Sequence, residues 1–594
     1  MRQIRFFVTL ALLSIVPSFS ALAQNQAPRQ AAANQRPLVI RGGLLVDGTG
    51  AAPVPNSVIV VSNGRIQAVG REGTVTIPAN ATIIEAGGKT VIPGLVDSHV
   101  HLRNYHIQDY LYWGVTTVGD LGNSPGWLVA YRDAVEQGRA TGSYILVGGQ
   151  RFNAPLRSEF NNPLDAFMTG NAGNAFITDA ASAGKAVLEV KKIGQDAIKM
   201  RDRLTPVMMK TIIDLAHKQG LPVFAHFDSA NIRQGQPLLG TDEIVDTGLD
   251  VQVHLFGLIK ATAPPAVIDR IRKGGPVQGW DQLDTNKFAP IIQKMVANKM
   301  FLNPTIAAQF ERASKYLPEF DRINTDYVNS PMALGLPKAV RDRYARWLKP
   351  GPEQNNAQLP EGYKRAGLFI KQFADAGGKL IAGTDSDAGR LGTSGITLHQ
   401  EMAMFSEIGV PPMKIIQSAT SWGMESWGKG KEAGTLEAGK RADILVLNRN
   451  PLDDIRATMD IFKIIQGGSV IDREGLANKR QEVVPRPGLL QEGFANPALH
   501  VPMIDEISPE LISTNQKNAS QLTIKGTNFT KNNLVLINDQ LVRGTLQGED
   551  ELRVPIPSSV SKAAGVYPLV VVQPGSAGGV SNTFYLMVTP KTGN

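Results

Sequence analysis

From Val91 onward the chain repeats one unit, a short apolar run followed by a stretch whose apolar residues recur at helical spacing. Eight such runs can be marked: "GLVDSHVHL", "GVTTVGDLG", "SYILVGGQ", "DAIKM", "LPVFAH", "LDVQVHL", "MFLNPT" and "KLIAGTDS". Segments such as "PVMMKTIIDLAHKQG" and "FAPIIQKMVANK" lie between several of them. Eight strand–helix units over roughly 340 residues predict a parallel (β/α)8 TIM barrel across residues 93–431. The stretch from Ile306 to Arg365 is longer than a normal connection, and such insertions form lids or pocket walls.

Both flanks of the barrel speak a different idiom. Residues 38–92 hold short alternating strands with glycine turns, and Asn63-Gly64 between two of them is a hairpin signal. "EAGTLEAGKRADILVLNRNP" and "IFKIIQGGSVID" return to that pattern, so 38–92 and 432–478 are expected to meet in one small β-sandwich. A linker at 479–499, rich in Pro and Gly, precedes strands at sandwich spacing in 500–594. The fold expected is thus multidomain, as befits 594 residues.

Composition narrows the rest. With 42% hydrophobic and 19% charged residues the chain is ordinary globular, and its net charge of +8 is spread out, which argues against a nucleic-acid partner. There is no cysteine, so a metal site must use nitrogen and oxygen ligands. The opening "MRQIRFFVTLALLSIVPSFSALAQ" has basic residues, a short apolar core and Ala21-Leu22-Ala23, the pattern of a secretory signal peptide over 1–23. Its apolar core is too short to span a bilayer, and no later segment suits stable membrane insertion. Residues 24–37 read as a disordered leader, and the destination expected is the bacterial periplasm or the outside.

His99 and His101 close the first strand one residue apart, which points both rings to the same side. Taken alone, they are either polar residues at a wet strand end or two ligands of one metal. Their company decides. Lys199 ends the fourth strand, His226 the fifth, His254 the sixth and Asp385 the eighth, and active sites of barrels are built on that rim. Neutral imidazoles suit borderline ions such as Zn²⁺, with a carboxylate to balance charge. An ammonium at Lys199 beside two dications would be untenable; a neutral amine can add carbon dioxide and become a bridging carbamate.

The set "HVH", "IKM", "AH", "VHL" and "GTDS", with "PGLVDSHVHL…GVTTVGDLG" and "GTLEAGKRADILVL", resembles the amidohydrolase superfamily. Within it the chain is most similar to the binuclear, carboxylated-lysine branch of imidazolonepropionase-like and Xaa-Pro dipeptidase-like enzymes. The resemblance implies that His99, His101 and Asp385 hold one divalent ion, His226 and His254 another, with zinc expected and the Lys199 carbamate bridging. It implies hydrolysis of an amide in a small peptide or N-acyl amino acid by a metal-bridging hydroxide, with Asp385 moving the proton. Two departures bear on substrate choice. Val253 stands where such enzymes often carry glutamate, and the connection from His226 to His254 is long.

Tyr105, His106 and Arg151 could face the small-molecule substrate; Arg157 suits a surface loop better. His217 reads as solvated, His399 as packing or orienting, and His500 belongs to the linker edge. Gly148-Gly149 suits a tight strand exit rather than a phosphate cradle. In the last segment "LTIKGTNF", "GVYPLVVV" and "SNTFYLMV" resemble an IPT/TIG immunoglobulin-like domain, a spacer or a contact module for a surface or polymer. A homo-oligomer is compatible with all of this. The alternatives are a lactonase or phosphoesterase on the same site, or a catalytically silent surface binding protein; a mononuclear deaminase would have no use for Lys199.

Overall fold

The computed structural model describes residues 36–479 and 502–589, apart from 103–106, 124, 137, 139, 150, 154–173, 202–203, 228–238, 274–278, 335–340, 342–343, 346–347, 349–357, 387–392, 515–519, 538–539, 563–564, 574–578 and 582–583. The expected signal peptide and the expected leader up to residue 35 therefore lie outside the described residues, as do Tyr105, His106, Arg157 and His500.

The first strands are β1 (Leu38–Leu45), β2 (Val54–Ser62), β3 (Arg65–Arg71), β4 (Thr82–Glu85) and β5 (Thr90–Pro93). Asn63 and Gly64 take φ of 52° and 76°, the left-handed pair that a two-residue hairpin between β2 and β3 requires.

The parallel strands follow: β6 (Leu95–Val100), β7 (Val115–Asp120), β8 (Tyr144–Val147), β9 (Arg151–Asn153), β10 (Asn174–Phe176), β11 (Ile198–Met200), β12 (Val223–Ala225), β13 (Val251–Val253) and β14 (Phe301–Asn303). β6 pairs with β7 and β7 with β8. Past Gly148-Gly149 the chain resumes pairing as β9, which lies against β11 on one side and β10 on the other. The amides of Asp196 and Ala197, just before β11, reach Val147 O of β8 at 2.7 and 3.3 Å. Pairing then runs through β12, β13 and β14. Residues 380–386 close the circuit with two parallel bridges, Leu380 to Leu302 in β14 and Ser386 to Val100 in β6. Seven of the expected strands thus appear as strands and the last as bridges only; β8 ends at Val147 before the glycine pair, and β9 and β10 are additions to the expected set.

Inside the circuit, Val96, Leu121, Leu146, Ala197, Phe224, Val251, Val253 and Ile381 form one cluster around Trp427. They come from or beside seven members of the circuit, Val251 and Val253 both from β13, so the middle of the circuit is filled with side chains. Trp427 lies 4.7 Å from Phe224, and a Cβ on Gly119 would sit 2.4 Å from its ring, so glycine is needed there. The outer apolar layer joins the strands to helices such as Ala180–Ile193 and Pro206–Lys218, capped by Asp179 and Thr205. In the long insertion the structure places helices Ile306–Phe310, Leu317–Val328 and Pro331–Leu334 before Leu359–Asp375. No helix among the described residues is long and apolar enough to cross a membrane.

After the circuit the chain returns as β15 (Ile444–Leu447), β16 (Ile461–Gln466) and β17 (Ser469–Val470). β15 pairs antiparallel with β5, so both flanks share one eight-stranded sheet. The C-terminal segment folds into two sheets with a common apolar core that includes Ile524 and Val554 from one and Val571 and Leu586 from the other.

His399, on the buried helix Ile396–Glu407, ties this layer together: Nε2 donates to Trp113 O at 2.9 Å and Nδ1 meets the Thr458 hydroxyl at 2.8 Å. Burial lowers its pKa from 6.5 to about 4. The ring is neutral in the fold and free to protonate in the unfolded chain, so its stabilisation is complete above pH 6.5 and is lost as pH falls toward about 4. Denaturant titrations at about pH 7 and about pH 5 should show the wild type losing about 2 kcal/mol more than His399→Gln; equal losses would remove this residue from the acid response.

Candidate metal centre

His99 lies in β6 and His101 just beyond it; His226 and His254 each follow the last residue of β12 and β13. Lys199 is the middle residue of β11, buried at 2% exposure, and Asp385 sits on the closing segment. The circuit brings these together. Asp385 Oδ1 stands 3.0 Å from His101 Nε2 and 3.3 Å from His99 Nε2, and its Oδ2 stands 3.8 Å from His254 Nε2. The ring of His254 lies 5.3 Å from that of His99 and 4.4 Å from that of His226. Lys199 acts electrostatically on His99.

The imidazoles are oriented from behind. Asn303 Nδ2 donates to Ile381 O at 3.0 Å, which turns its Oδ1 toward His99 Nδ1, also at 3.0 Å. The ring must then carry its proton on Nδ1 and present a lone pair at Nε2. Thr305 repeats the arrangement: its hydroxyl donates to Pro304 O at 2.8 Å and receives Nδ1 of His254 at 2.5 Å. Glu401, fully buried, accepts from the amides of Ile306 and Ala307 at 2.9 and 2.7 Å and so fixes the turn that carries Thr305. Asp97 accepts from the Thr384 hydroxyl at 2.8 Å and joins β6 to the closing segment.

Protonation states follow from these surroundings. Burial, then the positive field of Lys199, hold His99 well below its ordinary pKa. Burial would raise Asp385, yet His99, the bond from His101, and His254 hold it well below the carboxylate range. Burial pushes Asp97 up to about 7 and Glu401 up to about 8.

Imidazole Nε2 atoms turned toward an ionised carboxylate, with Nδ1 of His99 and His254 engaged from behind, are the donor chemistry of a divalent cation site. Ligand atoms of His99, His101 and Asp385 lie within 4.8 Å of one another. The donor set therefore fits a metal.

Other residues fall elsewhere. Arg151 pairs opposite Lys199 through its backbone, and its side chain is outside the described residues. His217, read as solvated, is bonded to Asp250 at 2.8 Å while remaining partly exposed. Asp97, Asn303, Thr305 and Glu401 were not singled out from sequence. "VDSHVH" carried a signal for the first, since Asp97 shares the strand face of His99, and "FLNPT" for the next two, as polar residues at the end of an apolar strand.

Comparison with known proteins gives a match to the amidohydrolase family model over residues 353–472 and to the IPT/TIG domain over 502–586. An enamidase of Eubacterium barkeri is 29% identical over 36% of this chain, and the match covers 55% of that protein, just over half its length. An imidazolonepropionase of Geobacillus kaustophilus is 23% identical over 74% of this chain and 99% of its own. Among solved structures, a Xaa-Pro dipeptidase with methionine in its active site superposes with a TM-score of 0.50 at 19% identity, covering 73% of this chain and all of that one. At that identity the likeness speaks to the fold alone.

Removing the supports should loosen the centre without removing a donor. Asn303→Ala and Thr305→Ala should each weaken zinc affinity about 10- to 100-fold in competition with a chelator, with the circular dichroism spectrum unchanged. Unchanged affinity in both would mean that these contacts do not orient the rings.

Proposed function

As the chain belongs to the amidohydrolase superfamily and carries a C-terminal IPT/TIG domain, we propose that it is an exported, binuclear metal-dependent hydrolase of amide bonds in small peptides or N-acyl amino acids. The observation that carries this reading is the convergence of His99, His101 and Asp385 beside His254, with His226 and the buried Lys199 adjoining. The circuit of parallel strands is read as a (β/α)8 barrel over 93–431, flanked by a β-sandwich from 38–92 and 432–478. Residues 1–23 direct export to the periplasm or beyond. The relatives' names, an enamidase and a Xaa-Pro dipeptidase among them, support the amide and peptide side of the reading.

In this reading His99, His101 and Asp385 hold one ion and His226 and His254 a second, with zinc suited to imidazole and carboxylate donors. Lys199 as a neutral amine could form an N–C bond to carbon dioxide with release of a proton, and the resulting carbamate would supply anionic oxygen donors to the ions. Bound there, divalent ions bring the pKa of a water toward neutrality and polarise the scissile carbonyl. The chain's own residues do the rest. Asn303 and Thr305 hold the rings of His99 and His254 in one tautomer, so the donors are set before substrate arrives. Asp385, ionised, accepts the proton of the attacking water and delivers it to the leaving nitrogen. Filling of the circuit around Trp427 closes the site from below, so substrate enters from the strand-end rim.

Elemental analysis of the purified chain should give close to two zinc ions per chain. Lys199→Ala should lose metal and should lower dipeptide hydrolysis about 100-fold or more, above the cost of a mere supporting contact. One ion per chain with an active Lys199→Ala would point to a mononuclear, deaminase-like site. Full occupancy with turnover only of lactones or phosphoesters would reassign the substrate, and none at all would leave a binding protein.

A further inference from the structure

Resting on the reading of His226 and His254 as part of the reactive centre, we propose that the site selects substrates bearing an apolar ring or branched apolar group next to the scissile amide, which packs on Phe256 and Trp280. The ring of Phe256 lies stacked on His226 at 6.2 Å and 23°, and edge-on to His254 at 5.7 Å. Trp280 follows at 5.8 Å from Phe256, and Phe310 at 5.4 Å from Trp280. Aromatic surface thus extends directly outward from two of the imidazoles.

Its outer members are pinned and its inner ones are open. Phe310 is buried, and Tyr363 behind it, 5.9 Å away, donates its hydroxyl to Glu407 at 3.1 Å. Phe256 and Trp280 pack against the apolar layer yet are only half-buried, so the two members nearest the imidazoles are the accessible ones. Two glycines keep them there. A Cβ on Gly257 would come within 2.3 Å of Phe227 Cε2, which locks the first turn of the helix Phe256–Thr262 against its neighbour. A Cβ on Gly362 would meet Trp280 Cβ at 2.6 Å, so the backbone that carries the indole rests directly on the helix Leu359–Asp375.

A rigid, uncharged wall of this kind gains from burying apolar surface and from offset or edge contacts with a second ring, and offers nothing to a charged group. Pockets of this sort discriminate by about 10-fold or more per missing methylene at best, so the preference should be graded rather than absolute.

The test uses the metal-loaded enzyme and two dipeptide series, one varying the acyl residue and one varying the leaving residue, each through Gly, Asp, Leu, Pro and Phe. In at least one series kcat/KM should rise about 10-fold or more from Gly to the apolar members, with Asp lowest. Phe256→Ala and Trp280→Ala should each reduce that ratio to about 3-fold or less, with metal content measured alongside. If Phe256→Ala loses metal, Trp280→Ala, which is further from the imidazoles, decides. Calorimetric titration of the same amino acids as products gives the ranking independently of turnover. Should no amide be hydrolysed, the proposed reaction fails, while tighter binding of Phe and Leu than of Gly, abolished in Trp280→Ala, still supports this wall. Equal binding of Gly and Phe, a preference for Asp, or an apolar preference unchanged in both variants would overturn it.

Discussion

The short segment 380–386 is the contact on which the centre depends. Its backbone is held from both sides: Ile381 N donates to Leu302 O at 2.9 Å, Ser98 N to Ala382 O at 3.0 Å, and Asp385 N to His99 O at 2.8 Å. Such closeness needs Gly383, because a Cβ there would lie 2.5 Å from Asn303 Nδ2 and 2.9 Å from His99 N. One missing methyl group therefore lets β14 and β6 share this segment. Sharing it delivers Thr384 to Asp97 and Asp385 to His99 and His101.

Three side-chain-bearing residues around the same spot turn into the left-handed region, His254 at φ 62°, Thr305 at 48° and Asp385 at 53°. Each such residue costs on the order of 1 kcal/mol or more, and persists only where the surroundings over-determine it. Here they do, and largely through one another. His254 N donates to Asn303 O at 2.8 Å, Thr305 holds the His254 ring, and Glu401 holds the turn after Thr305. The backbone distortion and the orientation of the donors are one structure.

Much of this was legible in the sequence, for a physical reason. An imidazole or a lysine ending an apolar run is conspicuous because burial would otherwise exclude it, and the strands that carry His99, Lys199, His226 and His254 all stand where their runs were marked. The return of the chain to the first sheet was visible in "GKRADILVL", which supplies β15 beside β5. What sequence hid was of two kinds. Asn303, Thr305 and Glu401 act through a ring or an amide that only tertiary proximity brings near; "FLNPT" marks the first two as polar residues ending an apolar strand but not what they hold, and nothing local marks Glu401. Trp427, in "ATSWGMESWGKG", looks like a surface-helix aromatic until Gly119 and Phe224 are seen to receive it. The pair β9 and β10 is only three residues long in each strand, too short for an apolar run to mark either one.

The polar interior has a charge pattern of its own. Asp97, Asp385 and Glu401 are all withdrawn from solvent. The charge of Asp385 raises Asp97, and that of Asp97 raises Glu401, after burial itself. A buried array of mutually repelling carboxyls is costly unless positive charge lies among them. Divalent cations on the Nε2 side would lower each acid, against the burial that raises Asp97 and Glu401. The acids behind the rings and the donors in front of them thus make a single electrostatic argument. The interior is arranged for cations, and its hydrogen bonds hold the donors ready for them.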